Sequence, residues 1–233
     1  MNKLFIDNRM RDIEKDKLKE LGYELIQIPN NKNLYSEISS HVDIHICKVD
    51  NKIILENSLY NYLNDNNYIR GNSSVYEKYP EDIKYNVCIV GNKAIHNFKY
   101  TDKKIIEILT NKGYELINVN QGYTKCSIAV IDDNSIIISD KGLYNSLKNT
   151  NLDILFLDYD LDIKLLSENN YSDKKGFIGG AISIIDDFIF ISGDLKKIDK
   201  YSEIRSFIEN KNLKIVDFEG IDIIDYGGVI YGN

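Results

Sequence analysis

The 233-residue sequence has no tryptophan, two prolines and only three cysteines. Cys47, Cys88 and Cys126 are odd in number and widely spaced, which excludes a CxxC zinc pattern and fits reduced thiols. No apolar run approaches the roughly 20 residues that a bilayer-spanning helix needs. An excess of basic residues is missing too. The net charge of -7 argues against nucleic acid and anionic membrane as partners, because both favour basic surfaces. Met1 to Asp7 turn charged at once and offer no signal-peptide apolar region, so the expectation is a cytoplasmic protein. What is abundant is Ile, Asn, Lys, Asp and Tyr, a composition that suggests an AT-rich bacterial genome. The hydrophobic fraction of 43% is enough for a real core.

The apolar residues recur in a repeated order. Tyr114-Glu115-Leu116-Ile117 repeats Tyr23-Glu24-Leu25-Ile26 letter for letter, each after a helical pattern stopped by a glycine, Gly113 or Gly22. Leu143-Tyr144-Asn145-Ser146-Leu147 echoes Leu59-Tyr60-Asn61-Tyr62-Leu63. Three hairpins turn at Asp50-Asn51, Asp132-Asp133-Asn134 and Asp186-Asp187. A fourth unit starts at Val87, and a fifth closes only if the strand near Val229 pairs with the strand near Leu4. Such matches indicate an internal repeat. The expectation is one α/β domain over residues 1–233, a closed set of five ββαβ units with terminal strands paired. Asn64 to Tyr85 reads as a loop or lid.

Two hairpin mouths carry reactive groups. Gln121-Gly122-Tyr123-Thr124-Lys125-Cys126-Ser127 delivers a cysteine to the start of one strand. His41-Val42-Asp43 opens another, and read as a strand it turns His41, Asp43, His45 and Cys47 to one face. A thiol with an imidazole is a candidate nucleophile and base. The competing role for Cys126 is that of a small buried hydrophobe, the usual fate of a free cysteine. A metal site on His41 and His45 is discouraged, because on a strand they would stand roughly 13 Å apart. Cys47 and Cys88 read as packing residues, and His96 as a surface residue. Gly179-Gly180 and Gly227-Gly228 allow a ligand to approach the backbone or serve as tight strand entries.

Five such units with a cysteine and an HxD sequence at hairpin mouths resemble the pentein superfamily. Its guanidino-group-modifying enzymes include arginine and agmatine deiminases, dimethylarginine hydrolases and amidinotransferases. Within it, the chain looks like a bacterial family assigned that fold. His41-Val42-Asp43, Gln121 to Ser127, Gly176-Phe177-Ile178-Gly179-Gly180 and Asp225-Tyr226-Gly227-Gly228 carry the resemblance. It implies a Cys–His enzyme acting on a small guanidino or related C–N substrate, hydrolase or amidinotransferase-like, with neither metal nor organic cofactor. Cys126 would be the nucleophile, with a thiol pKa below the usual value of about 8.5, and His41 the acid/base. Asp43, with Asp225 or Asp194, would hold the cation; Arg9 is the candidate for a substrate carboxylate. The sequence departs from the family's Glu-Gly-Gly-Asp motif at Val229 and lacks its C-terminal cysteine. That keeps an alternative open, a pentein-fold module that binds a small ligand or a protein without turnover.

Overall fold

The computed structural model describes residues 2–168 and 170–232. First come β1 (Lys3–Asp7), helix α1 (Asp12–Glu20) and β2 (Glu24–Ile28). The one-turn helix α2 (Val42–His45) leads into β3 (Ile46–Val49) and β4 (Lys52–Leu55), followed by α3 (Asn57–Leu63) and β5 (Ile69–Arg70). The next group is β6 (Cys88–Val90), β7 (Lys93–His96), α4 (Lys103–Asn111) and β8 (Glu115–Asn118). A second one-turn helix, α5 (Thr124–Ser127), precedes β9 (Ile128–Val130), β10 (Ser135–Ile138), α6 (Lys141–Leu147) and β11 (Asp153–Phe156). After β12 (Lys164–Leu166) and β13 (Tyr171–Lys175), a third, α7 (Ile178–Ala181), enters β14 (Ile182–Ile185) and β15 (Phe188–Ile191). Helix α8 (Tyr201–Glu209), β16 (Lys214–Val216), β17 (Ile224–Asp225) and β18 (Ile230–Gly232) complete the order. None of the helices is long and apolar enough to cross a membrane, among the described residues.

Among the described residues the strands form six three-stranded sheets. Five share one pattern: an antiparallel pair, a helix, then a third strand parallel to the middle one. In the first sheet the antiparallel partner of β1 is β18, with Leu4 opposite Tyr231, so the two terminal strands pair. The repeated Tyr-Glu-Leu-Ile segments open two equivalent third strands: Glu24 pairs with Lys3, and Glu115 with Lys93. Gly22 and Gly113, at φ +94° and +74°, stop α1 and α4 in a backbone conformation that costs other residues strain.

The centres of the middle strands are apolar because both of their faces are buried. Ile136 and Ile138 pack between the third and fourth repeat sheets, while Ile137 points the other way and packs against the β14–β15 sheet. Leu4 and Ile6 face that same β14–β15 sheet, and Phe5 faces β3 and β4. Ile54 meets Ala94, Ile105 and Leu109 across the next junction. Among the described residues, core clusters thus fill the junctions between neighbouring sheets. Each buried Ile or Leu contributes about 1.5–3 kcal/mol.

Three expectations need correction. The mouths at Val42–His45, Thr124–Ser127 and Ile178–Ala181 are helical turns, not strand, so the period-two alternation from His41 to Cys47 does not apply there. A sixth sheet, in the order β13-β12-β17, has no counterpart in the repeat; β12 runs parallel to β17, with Leu165 opposite Asp225. His96 is fully buried, not on the surface. It bridges Thr101 Oγ1 (2.6 Å) and the Gly122 carbonyl (2.8 Å), two polar partners that make burial tolerable.

Candidate functional site

Three of the five repeat sheets, together with the added sheet, send buried polar groups to one place. Helix α5 presents Cys126, 3% exposed, and the turn leaves its Sγ 3.0 Å from Asp43 Oδ2 on α2. The Asn86 amide, fully buried just before β6, completes the cradle. Its Nδ2 donates to Cys126 Sγ (3.0 Å) and to the Asp43 carbonyl (3.3 Å); its Oδ1 accepts from Lys125 N (2.8 Å) and Cys126 N (3.2 Å). Thr124 Oγ1 donates to the carbonyls of Asn86 and Ile95, both at 2.7 Å, which ties the turn to the third repeat sheet. His96 holds the approach to the same turn through its Nε2–H on the Gly122 carbonyl.

Asp225 comes from the added sheet. Its Oδ2 accepts from Phe177 N and its Oδ1 from Gly227 N, both at 2.8 Å. His41 Nδ1 lies 3.7 Å from Asp225 Oδ1, and neither ring nitrogen of His41 has a hydrogen-bond partner. Asp43 Oδ1 is also unpaired. Buried unpaired groups are costly and mark places where function outweighs stability.

The glycines of the two Gly-Gly pairs make this convergence possible. A Cβ on Gly180 would lie 1.8 Å from Asp225 Oδ1, and one on Gly227 would lie 2.7 Å from His41 Cβ. Gly179 lets α7 meet α5 backbone to backbone: its Cβ would stand 2.3, 2.4 and 2.6 Å from the carbonyl oxygens of Lys125, Ile128 and Cys126. Tyr123 and Phe177, the residues just before α5 and α7, stack with centroids 6.3 Å apart.

Burial dominates the electrostatics. It pushes the Cys126 thiol well above its ordinary pKa, and the charges of Asp43 and Asp225 push the same way, with the Asn86 hydrogen bond opposing. The expectation of a lowered thiol pKa is therefore reversed in the unliganded site. Asp43 rises to about 7, mainly by burial, with Lys125 opposing and Asp225 reinforcing. His41 is lowered by burial, against the raising influence of Asp225 and Asp7, so its ring is neutral near pH 7. At rest the site holds a thiol, a neutral imidazole and a carboxyl poised to lose or gain a proton.

A family of unknown function, DUF6873, matches residues 5–230. The chain belongs to DUF6873. No curated protein matches this DUF6873 chain. Among solved structures, DDAH from Pseudomonas aeruginosa complexed with citrulline aligns with TM-score 0.55 at 10% identity, over 94% of this chain and 91% of that one. A dimethylarginine dimethylaminohydrolase adduct with S-methyl-L-thiocitrulline aligns with TM-score 0.55 at 9% identity, over 94% and 92% of the two chains. SxtG, an amidinotransferase from Microseira wollei in the saxitoxin biosynthetic pathway, aligns with TM-score 0.50 at 10% identity, over 97% and 94%. These are pentein-fold guanidino-modifying enzymes, and the mixed α/β fold of the DUF6873 chain is theirs.

Of the residues singled out in the sequence, the DUF6873 fold brings Cys126, Asp43, His41 and Asp225 together. Cys126 and His41 share no hydrogen bond; the partners of the thiol are Asp43 and Asn86. Asp194 stands elsewhere, accepting from Lys196 N (2.9 Å) and Gly220 N (2.7 Å) in a turn. Arg9 is engaged locally: Nε and NH2 donate to Asp7, and NH1 and NH2 to the carbonyls of Ser36 and Glu37. Its guanidinium braces the segment leading to His41, and Asp7 also accepts from Ser40 Oγ. Among the described residues no group of three or more His, Cys, Asp or Glu is placed to hold a metal ion. Sequence reading missed Asn86, because an asparagine before a strand carries no chemical signature. Lys125 sits on the same helical turn as Cys126, where its Nζ donates to the Gly179 carbonyl (3.1 Å) and its charge acts on Asp43.

Proposed function

We propose that this chain is a single-domain cysteine-dependent enzyme of the cytoplasm acting on a small guanidino or related C–N substrate. Its five ββαβ units would form a ring, with the fold's chemistry gathered where their hairpins begin. The observation that carries the reading is the Cys126 thiol 3.0 Å from Asp43 Oδ2, with Asp225 acting on both. Two carboxyl groups that form no ion pair with a Lys or Arg among the described residues, beside a thiol, suit a planar cation with several N–H donors.

Binding would change the electrostatics that hold the thiol proton in place. A cation between Asp43 and Asp225 cancels the charges that raise Cys126, and the thiol gives its proton to the neutral His41, which becomes the imidazolium. Sγ then bonds to the substrate's central carbon. The C–N bond to the departing amine breaks as that amine takes a proton from His41. Water, or an acceptor amine, attacks the same carbon, the C–S bond breaks, and the thiol regains its proton. The choice between water and amine separates hydrolase from transferase.

The test is a screen of arginine, agmatine, methylated arginines and simple amides for release of ammonia, amine or ureido product, with Cys126→Ser as control. Turnover by the wild type and none by Cys126→Ser is the expected result. Turnover that survives in Cys126→Ser would move the chemistry to other residues. A second reading, a non-catalytic ligand-binding module, is favoured by the raised thiol and by the absence of a Cys126–His41 hydrogen bond. Thermal stabilisation by a cationic ligand without turnover would make it the better one.

A further inference from the structure

Away from the Cys126–Asp43–Asp225 group, a cavity of about 340 Å³ runs between the first strands of the five repeat sheets. Ile46 and Lys48 come from β3, Ile89 from β6, Val130 from β9, Ile184 from β14 and Tyr231 from β18. The volume lies at the lower end of the small-molecule range and would hold about ten waters. None of His41, Asp43, Cys126 or Asp225 lines it.

The walls are aliphatic, yet two ammonium groups line them, those of Lys48 and Lys125. Neither forms an ion pair with a carboxylate among the described residues. Lys48 Nζ lies over the Tyr231 ring, 4.7 Å from its centroid, and Lys125 Nζ meets the neutral Gly179 carbonyl. Burial lowers the pKa of Lys48, the sign of an ammonium held short of solvent, and a neighbouring anion would relieve that cost. The acidic residues at the cavity's edge belong to hairpin turns. Asp50 is bound by Lys112 and Tyr114, Asp132 accepts from Asn134 N, and Asp133 is exposed. Three acids at the entrance disfavour a polyanion and leave a singly charged guest.

We propose that this cavity is a second ligand site, taking a small monocarboxylate with a short branched apolar body. The aliphatic wall covers the body, and Lys48 and Lys125 hold the carboxylate. The site stands whether or not Cys126 turns over a substrate, because the residues named here are separate from that group apart from Lys125, the backbone neighbour of Cys126 whose charge also acts on Asp43.

The experiment is a titration of the whole protein with 4-methylpentanoate, followed by NMR of the isoleucine methyl groups. Saturable shifts at Ile46, Ile89 and Ile184 are expected. The neutral isostere 4-methylpentanamide should bind about ten-fold more weakly. Lys48→Met keeps the stem and drops the charge, and should weaken the carboxylate by roughly five-fold or more. The proposal is overturned if no saturable shift occurs at these methyls, if the amide binds as well as the acid, or if Lys48→Met binds the acid unchanged. The amide comparison uses the wild type, so it stands even if the variant folds poorly.

Discussion

The two ends of the hairpins solve opposite problems. At the tips, acidic turn residues are exposed and satisfied. Tyr23 OH donates to Asp186 Oδ2 (2.5 Å), and Tyr114, its counterpart in the repeat, donates to Asp50. Both tyrosines, each just before the third strand of one unit, therefore reach to the hairpin tip of a neighbour. At the mouths the same backbone carries dissimilar residues, His41 and Asp43 on one, Lys125 and Cys126 on another, Gly179 and Gly180 on a third. All but the half-buried Lys125 are buried, and the His41 ring nitrogens and Asp43 Oδ1 lack hydrogen-bond partners. A repeated scaffold stabilised at one end is free to diverge at the other.

The sharpest way to break this contrast is Gly179→Ala. The added Cβ would meet three backbone carbonyls that cannot move aside. A loss above about 3 kcal/mol, or no folded protein, is expected by urea denaturation. A near-wild-type stability would mean that α5 and α7 can separate. Next comes Asn86→Ala, which strips hydrogen bonds from Lys125 N, Cys126 N and the Cys126 thiol. About 2–3 kcal/mol should be lost. Asn86→Asp separates shape from charge, because a carboxylate there would push the thiol pKa higher still.

Asp43→Asn tests the electrostatics of the mouth. Wild-type Cys126 should alkylate more slowly at pH 7–8 than an ordinary free thiol, whose pKa is about 8.5. Removing the Asp43 charge should lower the apparent pKa of that reaction. An unchanged rate profile would show that burial alone controls the thiol. The same variant predicts a pH effect on stability. Asp43 titrates at 3.8 unfolded and about 7 folded, so its protonated form favours the folded state. Its contribution is complete below pH 3.8 and lost as pH rises to about 7. The stability difference between wild type and Asp43→Asn should therefore shift against the wild type across that window and level off above it. A flat difference would place the folded pKa of Asp43 near its unfolded value.

The smallest effects belong to the tips. Tyr23→Phe and Tyr114→Phe should each cost below about 1 kcal/mol in thermal unfolding, because each bond is partly solvated. The two losses should add, since the tyrosines share no partner.

The apolar triplets made the middle strands legible. Ile53-Ile54-Leu55, Ile136-Ile137-Ile138 and Phe188 to Ile191 are continuous because each face of the strand packs on a different neighbour. The pairing of the chain ends was legible from the repeat count. The mouths were not, since His41-Val42-Asp43-Ile44 alternates like a strand and yet turns as a helix. Tertiary contacts decide there: Val42 N and Asp43 N donate to the carbonyls of Tyr226 and Gly227, from the far end of the chain. The added sheet was hidden because Tyr171 to Lys175 is polar and exposed, without the apolar pattern that marks the other strands. Asp225 was found by motif, but its place beside His41 depends on that hidden sheet.

The third strand of every repeat unit has one flank without a strand partner, and such flanks are where separate chains can zip together into fibres. Each of these strands carries an exposed charge: Glu24, Arg70, Glu115, Asp153 and Lys214. A second chain pairing along any of them would have to desolvate that charge, which is the common protection of exposed strand edges. A protein so rich in isoleucine is thereby guarded along the third strand of each repeat sheet.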